Sequence, residues 1–187
     1  MQPRRASRVV GNDRGSQIME FAISLPLLVV LVVGIYDFAQ AFNVKQKLNF
    51  AAKDGARLGA IQPTNDLSQP TPISVAAIRD LVDADLIAEG LQDCGLSASP
   101  LLPTGTSPVS WMATATCQSK NDLTLTIDRG FLISPASASE PYLISTHVSI
   151  SYPYQWHFTG AVQLVAPGAS FAGPSPLTID AVAANQD

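Results

Sequence analysis

Four groups of residues have the types and spacing that chemistry needs. Cys94 and Cys117 are an even pair: a disulfide if the domain that holds them is exported, two buried thiols if it stays in the cytosol. His147 and His157 stand ten residues apart with no partner in sequence that would make either a general base, and as surface or packing residues they need none. Asp80, Asp83 and Asp85 crowd one segment but lack the glycine and the closing glutamate of a calcium loop, so they read as a solvated helix face and not as a metal centre. Glu20 is a lone carboxylate at the head of an apolar run. A Gly-x-Ser-x-Gly elbow, a phosphate-binding glycine loop and a His-Glu-x-x-His pair are all missing. The reading is therefore of a protein that is not an enzyme and uses neither metal nor cofactor. A net charge of −4 gives no electrostatic case for nucleic acid.

The element that must position Glu20 is a long N-terminal helix. Phe21 to Tyr36 carries no charge, and at ~1.5 Å per residue it covers ~24 Å, short of the ~30 Å hydrocarbon core. Continuing through Phe38, Ala39, Ala41 and Phe42 supplies the missing length, interrupted by Asp37 and Gln40. Arg4, Arg5, Arg8 and Arg14 upstream set the N-terminus in the cytoplasm and the remainder outside. Pro26 kinks such a helix without ending it. Beyond the run, Phe38, Phe42, Lys45, Leu48 and Ala52 recur at helical spacing, with Lys47, Asn49, Lys53 and Arg57 facing elsewhere. The helix is predicted from about Ser16 to about Ala60, on the order of 65 Å, so its outer half must pack on its own domain or on other subunits. Gly55 and Gly59 are the small residues that let it pack closely, with its own domain the preferred neighbour. Asp54 and Arg57 are spaced for an i,i+3 pair worth ~0.2–0.5 kcal/mol.

Arg14-Gly15-Ser16-Gln17-Ile18-Met19-Glu20-Phe21 resembles the processing site of type IV prepilins, particularly the Flp/Tad branch. The likeness continues through Leu25-Pro26-Leu27-Leu28, Gly34-Ile35-Tyr36-Asp37-Phe38 and Ala51-Ala52-Lys53-Asp54-Gly55-Ala56-Arg57. Together these resemble the TadE-like (TadE/TadG-type) domain of pseudopilins and minor pilins in tight-adherence, type IVc, pilus systems, over roughly residues 15–58. The sequence departs from the usual pattern at Ala39, where many relatives carry glycine, a change that a helix tolerates. The resemblance implies cleavage by a prepilin peptidase between Gly15 and Ser16, and a part in subunit assembly for Glu20, Phe21 and Pro26. It implies that the Glu20 carboxylate, costing ~2.5–3.5 kcal/mol at a bilayer centre, pairs with the freed α-amino group of a neighbouring subunit. The implied partners are other pilin or pseudopilin subunits, the peptidase, an inner-membrane assembly platform and the membrane itself.

After Pro63 the chain turns polar. Thr71 is the expected N-cap of a second helix with Pro72 in its first position, an apolar face of Ile73, Ala76, Ala77, Leu81, Leu86 and Ile87, and a stop at Gly90. Residues 97–108 read as a loop. Strands are predicted at Val109–Gln118, Leu123–Asp128, Tyr142–Tyr154 and Leu177–Ala184, the third with a clear period of two and an end, or an edge position, marked by Pro153. Residues 155–175, rich in Pro and Gly, read as a long connection, and Trp111 and Trp156 as packing or binding-surface residues. A Cys94–Cys117 bridge, favoured outside the cytoplasm, closes a loop of about 24 residues, worth roughly 3 kcal/mol.

The expected architecture is α+β: a leader at 1–15, a transmembrane and stalk helix at 16–62, and a domain at 63–187 in which a second helix and an antiparallel sheet of about four strands pack on the stalk. The expected protein is a single-pass subunit of the cytoplasmic (inner) membrane, its outer domain periplasmic, extracellular or carried in a surface pilus. Two rivals predict different mature chains. An uncleaved single-pass scaffold of the same apparatus keeps residues 1–15, whereas a secreted binding domain or hydrolase cut at Ala39-Gln40-Ala41 starts near Phe42. Against the second, Glu20 falls at the start of the apolar region and Asp37 between it and the cut.

Overall fold

The computed structural model describes residues 13–105, 107–117, 122–134, 142–169 and 176–186. Leader residues 1–12, with Arg4, Arg5 and Arg8, and Gly173 and Pro174 of the predicted connection lie outside these. The first helix, α1, is Asp13–Ile61, with Pro26 inside it. Two compact units divide the chain: Met1–Phe38 with Trp156–Ala172, and Ala39–Gln155 with Gly173–Asp187.

In the first unit, the α1 segment is long and apolar enough to cross a membrane and almost wholly unburied. Ile18, Phe21, Leu28 and Ile35 all stand exposed, an arrangement stable only against lipid or other apolar surface. The connection predicted over 155–175 holds a helix, α3 (Phe158–Val165). Its eight residues are too few for periodicity to stand out between Pro153 and Pro167.

The second unit lays helix on sheet, as an α+β chain requires. Leu48, Ala51, Ala52 and Ala56 of α1 share a core with Val75, Ile78, Val82 and Leu86 of α2 (Ile73–Ala88) and with the inward residues of the sheet. Phe38 and Phe42, which recur at helical spacing with Leu48 and Ala52, are exposed; the packed face is phased by the leucine and the small alanines, which let the backbones approach. The predicted face of α2 is also corrected. Ile73 is 77% exposed and Ile87 56%, because the helix carries apolar residues on both sides and the valine-rich side won. Asp83, expected in solvent, is buried.

The sheet has five strands in sequence order, every neighbouring pair antiparallel: β1 (Leu102–Pro103), β2 (Ser110–Thr116), β3 (Asp122–Ile133), β4 (Leu143–Tyr152) and β5 (Leu177–Ala184). The fifth, β1, and a 3-10 turn at Leu96–Ala98 occupy part of what reads as a loop, beside buried Leu96 and Leu101. β3 runs five residues past its predicted end through an irregularity between Asp128 and Phe131, where Gly130 leaves room for Val109: a Cβ there falls 2.4 Å from the valine Cγ2. In β4 the inward set is Thr146, Val148 and Ile150, in phase with the predicted alternation, and the strand ends before Pro153. Trp111 is buried and its Nε1 donates to the Pro70 carbonyl at 3.3 Å.

Thr71 does not cap α2. Pro72 precedes the helix, has no N–H and makes no side-chain cap bond. Asp66 supplies the cap from a distance: one carboxylate oxygen accepts the Ser74 amide and the other the Ser74 hydroxyl, both at 2.8 Å. At the other end Lys47 Nζ donates to the carbonyl of Glu89, the C-cap residue, where a cation also meets the negative end of the helix dipole.

Candidate functional site

The site begins with the sequence leading into the exposed run. Gly15 and Ser16 belong to α1 by their backbone, and Glu20 and Phe21 lie on its surface. The Ser24 hydroxyl donates to the Glu20 main-chain carbonyl. Among the described residues nothing bonds to the Glu20 carboxylate, so its charge is available to a group from elsewhere.

Asp37, which in sequence merely closes the apolar run, is 2% exposed. Its Oδ2 accepts the main-chain amides of His157 and Phe158, each at 2.9 Å, and the His157 Nδ1 lies 3.5 Å from Oδ1. The carboxylate thus serves as the N-cap of α3, satisfying two donors at the positive end of that helix. One turn back, Gly34 makes room for the Phe158 ring: a Cβ there falls 2.8 Å from Cε2. One residue on, Phe38 meets Trp156 edge to face at 5.2 Å. Gly34, Asp37 and Phe38 are a notch, a cap and an aromatic shelf for the Trp156-His157-Phe158 turn. The signal in sequence was the aspartate itself, since a carboxylate in an apolar span needs a partner. Asp37→Ala is expected to speed hydrogen exchange of the residue 157 and 158 amides about tenfold, from the loss of a cap worth ~0.5–2 kcal/mol. Asn at that position keeps an acceptor and part of the protection. Unchanged exchange in the alanine variant would show that something else holds the turn.

Higher on α1, a Cβ on Gly55 falls 2.9 Å from Val82 Cγ2, and one on Gly59 falls 2.5 Å from Thr146 Cγ2. Both glycines face their own unit. Asp54 and Arg57 lie 3.4 Å apart with Arg57 largely in water, a pair of little energetic weight. Cys94 and Cys117 form a disulfide, with Cα atoms 5.0 Å apart. It joins the end of β2 to a tight turn in which Cys94 has φ +55° and Gly95 φ +76°. His147 lies on the outer face of the sheet beside Phe131, 3.2 Å from Asp180.

The three aspartates of α2 have three separate surroundings. Asp80 pairs with Arg79 at 2.7 Å, and Asp83 accepts the Ser97 amide at 3.2 Å. Asp85 has one oxygen buried without a hydrogen bond. Burial pushes its carboxyl above the ordinary range, and the charges of Asp54 and Glu89 push the same way. The folded protein binds that proton more readily than the unfolded chain does. The ionised group therefore weakens the fold at neutral pH, and the cost is relieved as pH falls through the raised folded value. Asp85→Asn is expected to raise the urea midpoint at pH 7, by an amount that shrinks on acidification. An equal gain at every pH would rule out ionisation as the cause. Asp66 has the opposite sign. Burial raises its carboxyl, but the Ser74 bonds outweigh this and hold it below the usual value, so its contribution is present at neutral pH and is lost as pH falls through the lowered value.

A long, unburied apolar helix that runs on into a small α+β unit is consistent with a single-pass membrane protein. Residues 15–57 match the family model described as TadE-like protein, and over that segment the chain is TadE-like, consistent with a pilin-related protein. No curated protein and no solved structure matches the chain.

Proposed function

We propose that the chain is a prepilin-type subunit, a minor pilin or pseudopilin, that takes part in assembling a Tad, type IVc, pilus or secretion apparatus. The observation that carries this reading is the order Gly15-x4-Glu20 immediately before an exposed apolar helix, inside the TadE-like segment. In this mechanism the helix inserts with its N-terminus cytoplasmic and its outer unit periplasmic or extracellular, and the prepilin peptidase cuts after Gly15. Glu20 then pairs with the new α-amino group of a neighbouring subunit, a charge pair that sets register between copies. Ile18, Phe21, Leu28 and Ile35 leave lipid only by packing against other helices, because exposing such a surface to water is strongly unfavourable. The role is assembly rather than catalysis, with other subunits and the inner-membrane assembly platform as partners.

The test is the N-terminal residue of the mature protein, read by mass spectrometry from membranes or sheared filaments. A start at Ser16 that depends on the peptidase supports the reading. A start near Phe42 makes the protein a secreted domain, and an intact leader makes it a static anchor. With processing established, Glu20→Ala is expected to insert normally and to be lost from assembled material. Normal incorporation of that variant would sink the register role.

A further inference from the structure

The connection from β4 to β5, residues 153–176, has a composition that a surface loop in water does not explain. No acid, lysine or arginine stands anywhere between Glu140 and Asp180. Connections of this length are ordinarily polar linkers or working elements, and this one contains Trp156, Phe158 and Val162. In α3, Phe158, Ala161 and Val162 share one face at i, i+3 and i+4 spacing. Residues Trp156–Ala172 group with Met1–Phe38, the part of α1 that holds the apolar run, and not with the sheet whose strands they connect.

The level at which they join α1 coincides with a bilayer boundary. Counted from Gln17, where the apolar segment begins, about twenty residues at ~1.5 Å each cross ~30 Å of hydrocarbon and end at Asp37. α1 changes surroundings there: the second unit begins at Ala39, and Ala41 is buried. Asp37 caps α3, and the Phe158 ring lies against Gly34, ~4.5 Å farther into the run. The sheltered face continues from buried Asp37 and Gly34 to half-buried Val33 and Val30, a distance of ~10 Å along the axis. Interfacial helices sink ~5–10 Å into the boundary between headgroups and acyl chains, which is the same range. Trp156 and the exposed Tyr36 supply, at this level, the two residue types that favour a membrane–water interface.

We infer that α3 and the Trp156 turn lie in the lipid boundary layer at the Asp37 end of the span, so that the chain meets the bilayer through two separate stretches of sequence. The inference rests on the reading of α1 as a membrane span. Uncharged composition selects lipid over water, and level selects it over a partner protein. A bilayer that holds residues 17–37 surrounds α1 at Gly34, and what lies against Gly34 lies in that bilayer too. The arrangement also suits Asp37, whose carboxylate at the edge of the hydrocarbon meets the first amides of α3 in place of lipid. α3 thereby fixes how far the helix sinks. Lifting it exposes Phe158 and Val162 to water, and pushing it deeper carries Asp37 and His157 into hydrocarbon.

Tryptophan quenching tests this in the full chain, reconstituted into vesicles of phosphatidylcholine and phosphatidylglycerol, with the buried Trp111 as an internal reference. Lipid brominated along its acyl chains is expected to quench the Trp156 emission by roughly half, and iodide in the water to quench it little, as suits a ring at the acyl boundary. Trp156→Phe is expected to abolish the lipid-dependent part, which identifies its source while leaving Trp111 in place. Leu28→Trp and Val162→Trp, each in the Trp156→Phe background, report the span and α3 separately, and brominated lipid is expected to quench both. Quenching at Leu28→Trp with none at Trp156 or Val162→Trp overturns the placement of α3 and leaves the span standing. Shielding of the latter two from bromine and iodide alike overturns it as well, since a protein neighbour then takes the place of lipid. No quenching at any of the three overturns the span, and this inference with it.

Discussion

Serine in place of both Cys94 and Cys117 lowers the stability of the folded chain by roughly 3 kcal/mol, the chain-entropy value for a bridge across 23 positions. For a protein of this size that is a fall of roughly 10 °C in the melting midpoint. Two effects act together. The open chain regains the freedom of a long loop, and the turn at residues 93–95 loses its clamp. Cys94 is the one non-glycine residue at positive φ among those described, a conformation that costs an L-residue roughly 1–2 kcal/mol. Without the bridge the turn relaxes toward ordinary backbone geometry, and the Asp93 carboxylate that accepts the Gly95 amide at 2.9 Å loses its alignment. Thermal melts of the double variant and of the reduced parent are expected to agree. A shift of a degree or two in both would mean that the hydrogen bonds of the turn, and not the bridge, hold it.

Gly59→Ala has the second large effect, and two opposed terms decide its sign. Alanine favours the helix by ~1 kcal/mol over glycine. Against this, the new methyl lands 2.5 Å from Thr146 Cγ2 and 3.0 Å from Ile78 Cδ1. The isoleucine end can turn aside, but Thr146 is fully buried, stiff at χ1 and bonded through Oγ1 to Asn185 at 2.8 Å. Moving it disturbs a chain of bonds, because Asn185 in turn donates to the Arg129 carbonyl at 3.3 Å. Overpacking therefore wins, and a net loss of about 2 kcal/mol is expected within the usual ~1–3 range. Thr146→Ser removes the obstructing methyl and keeps the hydroxyl. Added to Gly59→Ala, it is expected to recover most of the loss in denaturant midpoints. A double variant no better than the single one would place the obstruction elsewhere.

What the sequence made legible follows from where one period dominates. β5 runs Leu177–Ala184 as predicted, and β4 shows its inward set, because alternation there meets no competing pattern. α1 is visible from its length and its uncharged run. The face of α2 is not, because Ile73 and Ile87 on one side compete with Val75, Ile78 and Val82 on the other, and only the position of the sheet decides between them. Capping by remote residues is equally hidden. Asp66 reaches Ser74 across a turn, and Asp37 reaches the start of α3 from a helix far upstream in sequence, so no local rule joins either pair. For the candidate site, the apolar run was readable from composition, and the reading of Gly15 and Glu20 rests on linear order alone. The notch, cap and shelf on the Gly34 to Phe38 face were not readable, because their partner is an eight-residue helix inside a Pro- and Gly-rich stretch.

The Gln186 amide donates to the Ala60 carbonyl at 2.9 Å, beside β5 pairing along β4. The stalk helix emerges from the ribosome early, yet its outer end is finished by a segment that emerges after β4 and α3. The inner face of α1 must therefore wait, uncovered, until β5, the strand that closes the unit, has been synthesised. Topology thus imposes a delay between the synthesis of α1 and the folding of the unit it belongs to.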